Sequence, residues 1–205
     1  MMFIRSFVFF LGVLATFALG WVGIVGVPDI MIGRLQAPPE LRRYTSEELF
    51  GRGIYIREGC LYCHSQQVRA EGFGNDQARF WGRASVPADY LYDKPHLLGT
   101  MRTGPDLFNI AARQPSEQWH LIHLYNPRLV SKGSVMPPYP WLFTEKQAAG
   151  PGETPLALPD SLAPVHRVVV PTAEGKALVA YLLSLNHTYP VSQAPVVHDS
   201  TQSKK

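Results

Sequence analysis

The hydrophobic and polar positions divide the chain into a long apolar stretch at the N-terminus and a mixed remainder. From Ser6 to Val27 no residue carries a charge, and Phe, Leu, Val and Gly predominate. At about 1.5 Å per residue, a helix of this length crosses a hydrocarbon core of about 30 Å. The pattern predicts one transmembrane anchor over residues 1–28. A cleaved signal peptide starting at Arg5 is the alternative, but the apolar run is longer than such a peptide needs.

Behind the anchor, capping residues and apolar spacing predict the first helix of a folded domain. Residues 29–44 contain Pro38 and Pro39 and are interpreted as a tether. Thr45 and Glu48 fit a capping box, which predicts that a helix begins at Thr45. Its predicted apolar stripe consists of Leu49, Gly53 and Ile56.

Three further helices are predicted nearer the C-terminus. Asp106 is a candidate N-cap for a short helix through Ala112, ended by Pro115, and Ser116 is one for a helix over residues 117–125. The last helix is expected to be capped by Thr172. Its apolar face consists of Leu178, Tyr181, Leu182 and Leu185.

Three segments lack such periodicity. Residues 66–100 are irregular and rich in glycine and aromatic side chains, and a loop of this length is usually functional or packed against something. Residues 144–171 are rich in Pro, Ala and Gly and are interpreted as a surface excursion. Residues 187–205 are polar and are expected to be disordered. The folded domain is therefore expected to span residues 45–186.

Both cysteines of the chain lie in one short motif. Cys60 and Cys63 are separated by two residues, and His64 follows directly. C-x-x-C-H is the attachment signature of c-type haem, because two thiols on one turn can each bond a porphyrin vinyl group while the imidazole becomes an axial iron ligand. A thioredoxin-like redox pair would lie near a βαβ pattern, a structural zinc site needs four ligands, and a structural disulfide needs no histidine there. The motif therefore favours one covalently attached haem.

The second iron ligand is expected from a proline-rich loop. Met136 precedes two prolines and lies far along the chain from His64. A stiff loop of this kind can hold a thioether over the far face of a haem. The sequence therefore predicts His64 and Met136 as the metal ligands. His120 and His123 are alternative ligands, although a histidine on a helix is more often structural.

Composition and charge add few constraints. The formal net charge of +3 is mild and no run of Lys or Arg occurs, so no nucleic-acid partner is expected. Both cysteines belong to the motif, so no disulfide framework is expected either.

The order of these features resembles the cytochrome c fold: a helix leading into C-x-x-C-H, a Gly-Pro loop, a Met loop and a final amphipathic helix. The resemblance implies an all-α domain, here with one N-terminal transmembrane helix. In that family the first and last helices cross, and a small residue such as Gly53 permits their close approach. The resemblance also implies that the carbonyl of Pro105 orients the imidazole of His64.

Longer motifs narrow the resemblance. They are residues 55–60 (YIREGC), 63–66 (CHSQ), 92–95 (YDKP), 102–107 (RTGPDL), 119–120 (WH), 123–128 (HLYNPR), 136–137 (MP) and 139–142 (YPWL). In this order they resemble the mono-haem subunit (subunit II) of cbb3-type cytochrome c oxidases over about residues 44–143. The resemblance implies a membrane-anchored c-type cytochrome that carries electrons to the catalytic subunit of a haem–copper terminal oxidase. A six-coordinate iron has no open site, so the chain is not expected to reduce oxygen itself.

The resemblance also implies partners and a location. The partners are the catalytic haem–copper subunit, other oxidase subunits and a donor cytochrome c, in the bacterial cytoplasmic membrane with the haem domain on the periplasmic side. Arg34, Arg42 and Arg43 follow the anchor, so the positive-inside rule favours the opposite orientation, but covalent haem attachment takes place outside that membrane. Family members place residues 66–100 against the catalytic subunit near a bound calcium, which makes Ser85 the residue expected nearest to it.

Two other functions are compatible with the same residues. One is a free-standing, membrane-tethered cytochrome c that shuttles electrons. The other is an anchored thiol–disulfide oxidoreductase that uses Cys60 and Cys63.

Overall fold

The computed structural model describes residues 2–99, 101–159, 163–164 and 166–191. The chain divides into two units, one built mainly from residues 2–39 with 86–91, and the other from residues 40–85 with 92–190. The first contains the N-terminal helix, and the second contains the cysteine motif.

The N-terminal helix runs without a break through three segments. They are α1 (Met2–Trp21), a π-helical turn (Val22–Gly26) and α2 (Val27–Gly33). Pro28 has no N–H to donate and its ring crowds the carbonyl four residues earlier, so the wider π turn beside it accommodates the proline. Phe3–Gly33 is the one helix of the described residues that is long and apolar enough to cross a membrane. The helix therefore extends five residues beyond position 28.

The first and last helices of the second unit are α3 (Ser46–Arg57) and α6 (Ala173–Ser184), and they form its most extensive helix contact. The capping box at α3 is confirmed: the Glu48 N–H donates to Thr45 Oγ1 (3.2 Å), and the Thr45 N–H donates to Glu48 Oε2 (2.7 Å). The predicted cap of α6 is also confirmed, since Thr172 accepts from the Gly175 N–H at 3.2 Å.

The predicted apolar stripe of α3 is wrong. Leu49 is 54% exposed, and a Cβ built on Gly53 would meet nothing within 4 Å. Gly51 is the residue at the helix crossing instead, because a Cβ there would collide with the carbonyl of Ala177 on α6. The buried face thus lies on a different side of the helix.

Buried polar side chains explain this error. Arg52 lies on the buried face of α3, and its Nε–H donates to Asp93 Oδ1 at 2.7 Å, with both side chains 8% exposed. Glu48 is buried too and accepts from Arg42 at 2.7 Å. The spacing of apolar residues does not predict that such charged positions are buried, because the partners that make their burial possible lie elsewhere in the chain.

Two shorter helices, α4 (Ile110–Arg113) and α5 (Glu117–Tyr125), lie between them. The prediction for α5 is confirmed, with Ser116 Oγ accepting from the Trp119 N–H at 3.2 Å. Asp106 does not cap α4, which begins only at Ile110. Single 3₁₀ turns are formed by Cys60–Tyr62, Pro87–Tyr90, Pro127–Leu129 and Pro140–Leu142.

The all-α prediction requires a correction, because the domain contains a small sheet. Strands β1 (Phe143–Lys146) and β2 (Val168–Pro171) pair antiparallel, with Phe143 opposite Pro171 and Lys146 opposite Val168. β2 contains three successive valines, whose branched side chains suit a strand. Residues 144–171 are therefore more than a surface excursion: Leu156, Val169 and Val170 are all buried.

The packed part of the chain continues beyond residue 186. The ring of His187 stacks on Phe108 with centroids 4.1 Å apart, and its Nδ1 lies 2.8 Å from the Phe108 carbonyl oxygen. Arg83 donates from Nε to the carbonyl of Tyr189 at 2.7 Å. The rest of the tail that was expected to be disordered, residues 192–205, lies outside the described residues.

Candidate haem site

The two cysteines share one turn directly after α3. Gly59 starts this turn with φ +73°, a conformation that glycine adopts without strain. The His64 N–H donates to the carbonyl of Cys60 at 2.9 Å, which closes the turn. Both thiols are free, Cys63 being exposed and Cys60 partly buried. Burial raises the pKa of the Cys60 thiol to about 12, and the charge of Glu58 adds to this shift.

His64 is held in one orientation by the Gly-Pro pair. Its Nδ1 lies 2.8 Å from the carbonyl oxygen of Pro105, so Nδ1–H is the donor and Nε2 keeps its lone pair. Burial lowers the pKa of His64, which favours the neutral ring that a metal needs. A Cβ on Gly104 would collide with the same ring, so the backbone approaches the imidazole as closely as only glycine allows.

A buried polar network fixes the residues that follow His64. Asp106 is fully buried, and its Oδ2 accepts from Ser65 Oγ (2.6 Å) and from the Gln67 N–H (2.8 Å). Arg102 donates to Ser65 Oγ at 2.8 Å and to Asp76 Oδ1 at 2.6 Å. Sequence analysis missed this network, although Arg102 and Asp106 lie four residues apart on either side of the Gly-Pro pair. The segment directly after His64 is thereby anchored by side chains from residues 76–106.

Residues 134–142, here called the Met136 loop, are tied to the rest of the domain at several points. Met136 is partly buried and packs against the hydrophobic core, as Cys60 does. The Tyr139 N–H donates to the carbonyl of Leu124 at 2.9 Å, which fixes the loop to the end of α5. Trp141 Nε1 donates to Glu58 at 3.1 Å, which ties the loop to the end of α3, directly before the cysteine turn. Met101, by contrast, is 59% exposed.

The two alternative histidines differ in their surroundings. His120 is buried, and its Nε2 lies 2.8 Å from the carbonyl oxygen of Gln114, which is the pattern of a structural histidine. His123 stacks on Trp119 with centroids 4.7 Å apart. The pKa of His123 is lowered to about 4, mainly by burial and then by the charges of His64 and His120. His123 is therefore neutral and lies in the neighbourhood of His64.

Ser85 pairs with the backbone of the irregular segment. Its N–H donates to the carbonyl of Val68 at 2.9 Å, and its hydroxyl donates to the same oxygen at 3.2 Å. Within the described parts of the chain, no group of three or more His, Cys, Asp or Glu side chains could hold a metal ion. A calcium ion near Ser85 stays a prediction.

The residues present fit a haem. Two free thiols lie on one turn, the histidine beside them presents Nε2 while Nδ1 is engaged, and a partly buried thioether stands on a loop tied to the end of α3, directly before that turn. These are the donor types that c-type haem sites use. The thiols and His64 share one short segment, and the fold brings the Met136 loop to it through the bond from Trp141 to Glu58.

Comparison with protein families agrees with this donor set. The family model described as cytochrome C oxidase, mono-heme subunit/FixO, matches residues 2–156. Comparison with curated proteins returned no match. The family model covers most of the chain, from the N-terminal helix through the Met136 loop. The chain therefore belongs to the family of mono-haem cytochrome c oxidase subunits, which carry one haem and take part in electron transfer within an oxidase complex.

Proposed function

We propose that this protein is a membrane-anchored c-type cytochrome that carries electrons to the catalytic subunit of a haem–copper terminal oxidase. The observation that carries the proposal is the 2.8 Å contact of His64 Nδ1 with the Pro105 carbonyl, directly after two free thiols on one turn. It leaves one imidazole nitrogen available beside both attachment points. A bound haem supplies one-electron redox chemistry there.

Each site residue has a distinct role in this proposal. Cys60 and Cys63 form the two thioether bonds, His64 is the proximal ligand, and Pro105 holds its ring. Met136 is the distal ligand, and its soft, neutral thioether favours the reduced iron and raises the potential. With His64 and Met136 as its two iron ligands, the haem would have no open site, so the chain would not reduce oxygen itself.

The helix of residues 3–33 is the single membrane anchor in this proposal. It spans the bacterial cytoplasmic membrane once, with the haem domain on the periplasmic side. The partners are the catalytic haem–copper subunit, the other oxidase subunits and a donor cytochrome c. Residues 66–100 face the catalytic subunit, with Ser85 nearest to a bound calcium.

The alternative of a thiol–disulfide oxidoreductase has less support. Such an enzyme needs a nucleophilic cysteine with a lowered pKa. Burial instead raises the pKa of Cys60 to about 12. A free-standing shuttle would use the same haem site, but membership of an oxidase-subunit family favours a place in the complex.

Haem staining after SDS electrophoresis tests the attachment. The chain with Cys60→Ala and Cys63→Ala should lose the stain, because no other thiol is present. Tyr62→Phe, between the two cysteines, is the matched control and should keep it. A double variant that still carried SDS-resistant haem would refute the proposal. Co-purification with a haem-b and copper protein from solubilised membranes then separates the oxidase subunit from a free shuttle.

A further inference from the structure

Trp141 is a large side chain that is exposed and yet held in place. Its exposed fraction is 57%. The indole Nε1–H donates to Glu58 Oε2 at 3.1 Å, and the ring packs edge-to-face on Tyr139 with centroids 5.4 Å apart. Trp141 lies five residues after Met136, whereas Glu58 lies two residues before Cys60. One hydrogen bond therefore joins the Met136 loop to the end of α3, directly before the cysteine turn.

Glu58 is well fixed on its own side of this contact. Its side chain is only 12% exposed, and a carboxylate with so little contact with water needs donors. Arg57 supplies one at 2.8 Å and is itself held by Glu174 through two bonds of 2.6 and 2.7 Å. The acceptor for Trp141 is thus braced by α3 and α6 together.

The charge of Glu58 also reaches the groups on both sides. The pKa of the Tyr139 hydroxyl is raised to about 12, mainly by burial, then by Cys60 and Cys63, and then by Glu58. Cys60, Met136 and Tyr139 all pack against the same hydrophobic core. The Trp141–Glu58 contact therefore lies where the two ligand-bearing segments meet.

We propose that the hydrogen bond between Trp141 and Glu58 is a latch that holds the Met136 thioether in its ligand position. This inference rests on the proposed function, in which Met136 is the distal ligand. Trp141 and Glu58 are positioning residues that act through Met136. Two backbone ties of the loop remain when the latch is broken: the Tyr139 N–H donates to the Leu124 carbonyl, and the Leu142 carbonyl accepts from the Thr172 N–H at 2.9 Å. Without the latch the loop is held at fewer points, so Met136 leaves its position more often.

The test measures how readily an external ligand replaces Met136. Imidazole is added to the full-length, haem-loaded protein in its oxidised form, far from unfolding conditions, and the binding rate is followed. Trp141→Phe keeps an aromatic ring but removes the N–H donor. It should bind imidazole about fivefold faster than the parent, the factor expected from the loss of one hydrogen bond. Trp141→His restores a donor and should bind more slowly than Trp141→Phe while the methionine–iron charge-transfer band stays intact, which shows that the new imidazole has not itself bound the iron.

Glu145→Gln is the control for loss of a carboxylate charge, which matters for the substitute variant Glu58→Gln described below. It breaks an exposed ion pair with Arg167 on the sheet and should bind imidazole at the parent rate. If Trp141→Phe does not accumulate, Glu58→Gln takes its place, since a neutral acceptor holds the indole more weakly. It should accelerate binding about twofold, the smaller factor expected from weakening a bond rather than removing it.

The possible outcomes separate this inference from the proposed function. A parent rate in Trp141→Phe, with the methionine–iron charge-transfer band intact, would overturn the latch and leave the haem assignment standing. A parent protein without covalent haem, or without that band, would overturn the ligand assignment and the latch together. Faster binding in Trp141→Phe and slower binding in Trp141→His would support the latch, because a general loss of stability would accelerate both.

Discussion

Replacing Gly51 by alanine should push α3 away from α6. A Cβ at Gly51 would overlap with the carbonyl of Ala177 and would stand 3.0 Å from the backbone nitrogen of Leu178. Both neighbours are backbone atoms, so no flexible side chain can move aside. The two helices would have to separate along the contact that forms the centre of the domain.

The size of the effect follows from two opposing contributions. Overpacking costs about 1–3 kcal/mol, and an overlap with backbone belongs at the upper end of this range. Alanine in place of glycine within a helix returns about 0.5–1 kcal/mol. The free energy of unfolding should therefore fall by about 2 kcal/mol. For a domain of this size that lowers Tm by about 4–8 °C.

Gly53→Ala is the matched control on the same helix. A Cβ there meets nothing within 4 Å, so only the gain in helix propensity remains. Its Tm should rise by about 1–4 °C. Thermal unfolding of the haem-loaded variants, followed by circular dichroism in detergent, measures both values. A stable Gly51→Ala together with an unstable Gly53→Ala would show that Gly53 faces α6 and would refute this reasoning.

Three further predictions concern single side chains. Met136→His should keep the iron low-spin but lower its midpoint potential, because imidazole donates more strongly than a thioether. The expected drop is about 59 mV or more, which is a tenfold change in the one-electron equilibrium. Met101 is exposed, so Met101→Leu should leave the potential unchanged in the same redox titration. Asp93→Asn should lower the free energy of urea unfolding by about 3–5 kcal/mol, because it leaves Arg52 charged and buried without its partner. The hydrogen bond from Arg42 lowers the pKa of Glu48. The ionised Glu48 therefore stabilises the folded protein at neutral pH, and this stabilisation is lost as the pH falls below about 4.3. Glu48→Gln should accordingly be less stable than the parent at pH 7, and the two proteins should become similarly stable in acid unfolding curves. Equal stability of Glu48→Gln and the parent at pH 7 would contradict the last prediction, and an unchanged potential in Met136→His would move the ligand elsewhere.

Features that depend on neighbouring residues, namely three helix caps and the cysteine motif, could be predicted from the sequence. Thr45, Ser116 and Thr172 each cap a helix through a bond to a backbone N–H three residues later. Such a bond depends on nearby residues, so residue type and spacing predicted these three caps. The same reasoning failed at Asp106, whose Oδ1 accepts from the Phe108 N–H while α4 begins only at Ile110. The cysteine motif is equally local, and its turn has the compact geometry that the spacing requires.

Features that depend on residues far apart along the chain could not be predicted from local residue type and spacing. Gly51 and Gly53 look alike in the sequence, and the choice between them depends on Ala177, which lies far along the chain. The two strands have four residues each, and neither forms without its partner from the other end of residues 143–171. In both cases the deciding contact belongs to the folded domain.

The same distinction applies within the haem site. The bond that closes the cysteine turn joins His64 to Cys60, four residues earlier. The contact of His64 with Pro105 joins residues 41 positions apart, and the bond from Trp141 to Glu58 joins residues 83 positions apart. Closing such long loops costs entropy that only the assembled domain offsets. The thiols can therefore be presented by a short stretch of chain, whereas the contacts that position His64 and the Met136 loop depend on the fold.

Attachment and coordination should consequently respond differently to a weakened helix crossing. Gly51→Ala strains the contact between α3 and α6, but it leaves the turn of Cys60 and Cys63 unchanged. We expect the variant to keep its SDS-resistant haem stain while a smaller fraction of the protein shows the methionine–iron charge-transfer band, and this fraction should fall further on warming. The band reports Met136, whose loop is held through α3 by Glu58 and through α5 by Leu124. If stain and band were lost in equal proportion, the attachment itself would require the assembled domain, and the local reading of the cysteine turn would be wrong.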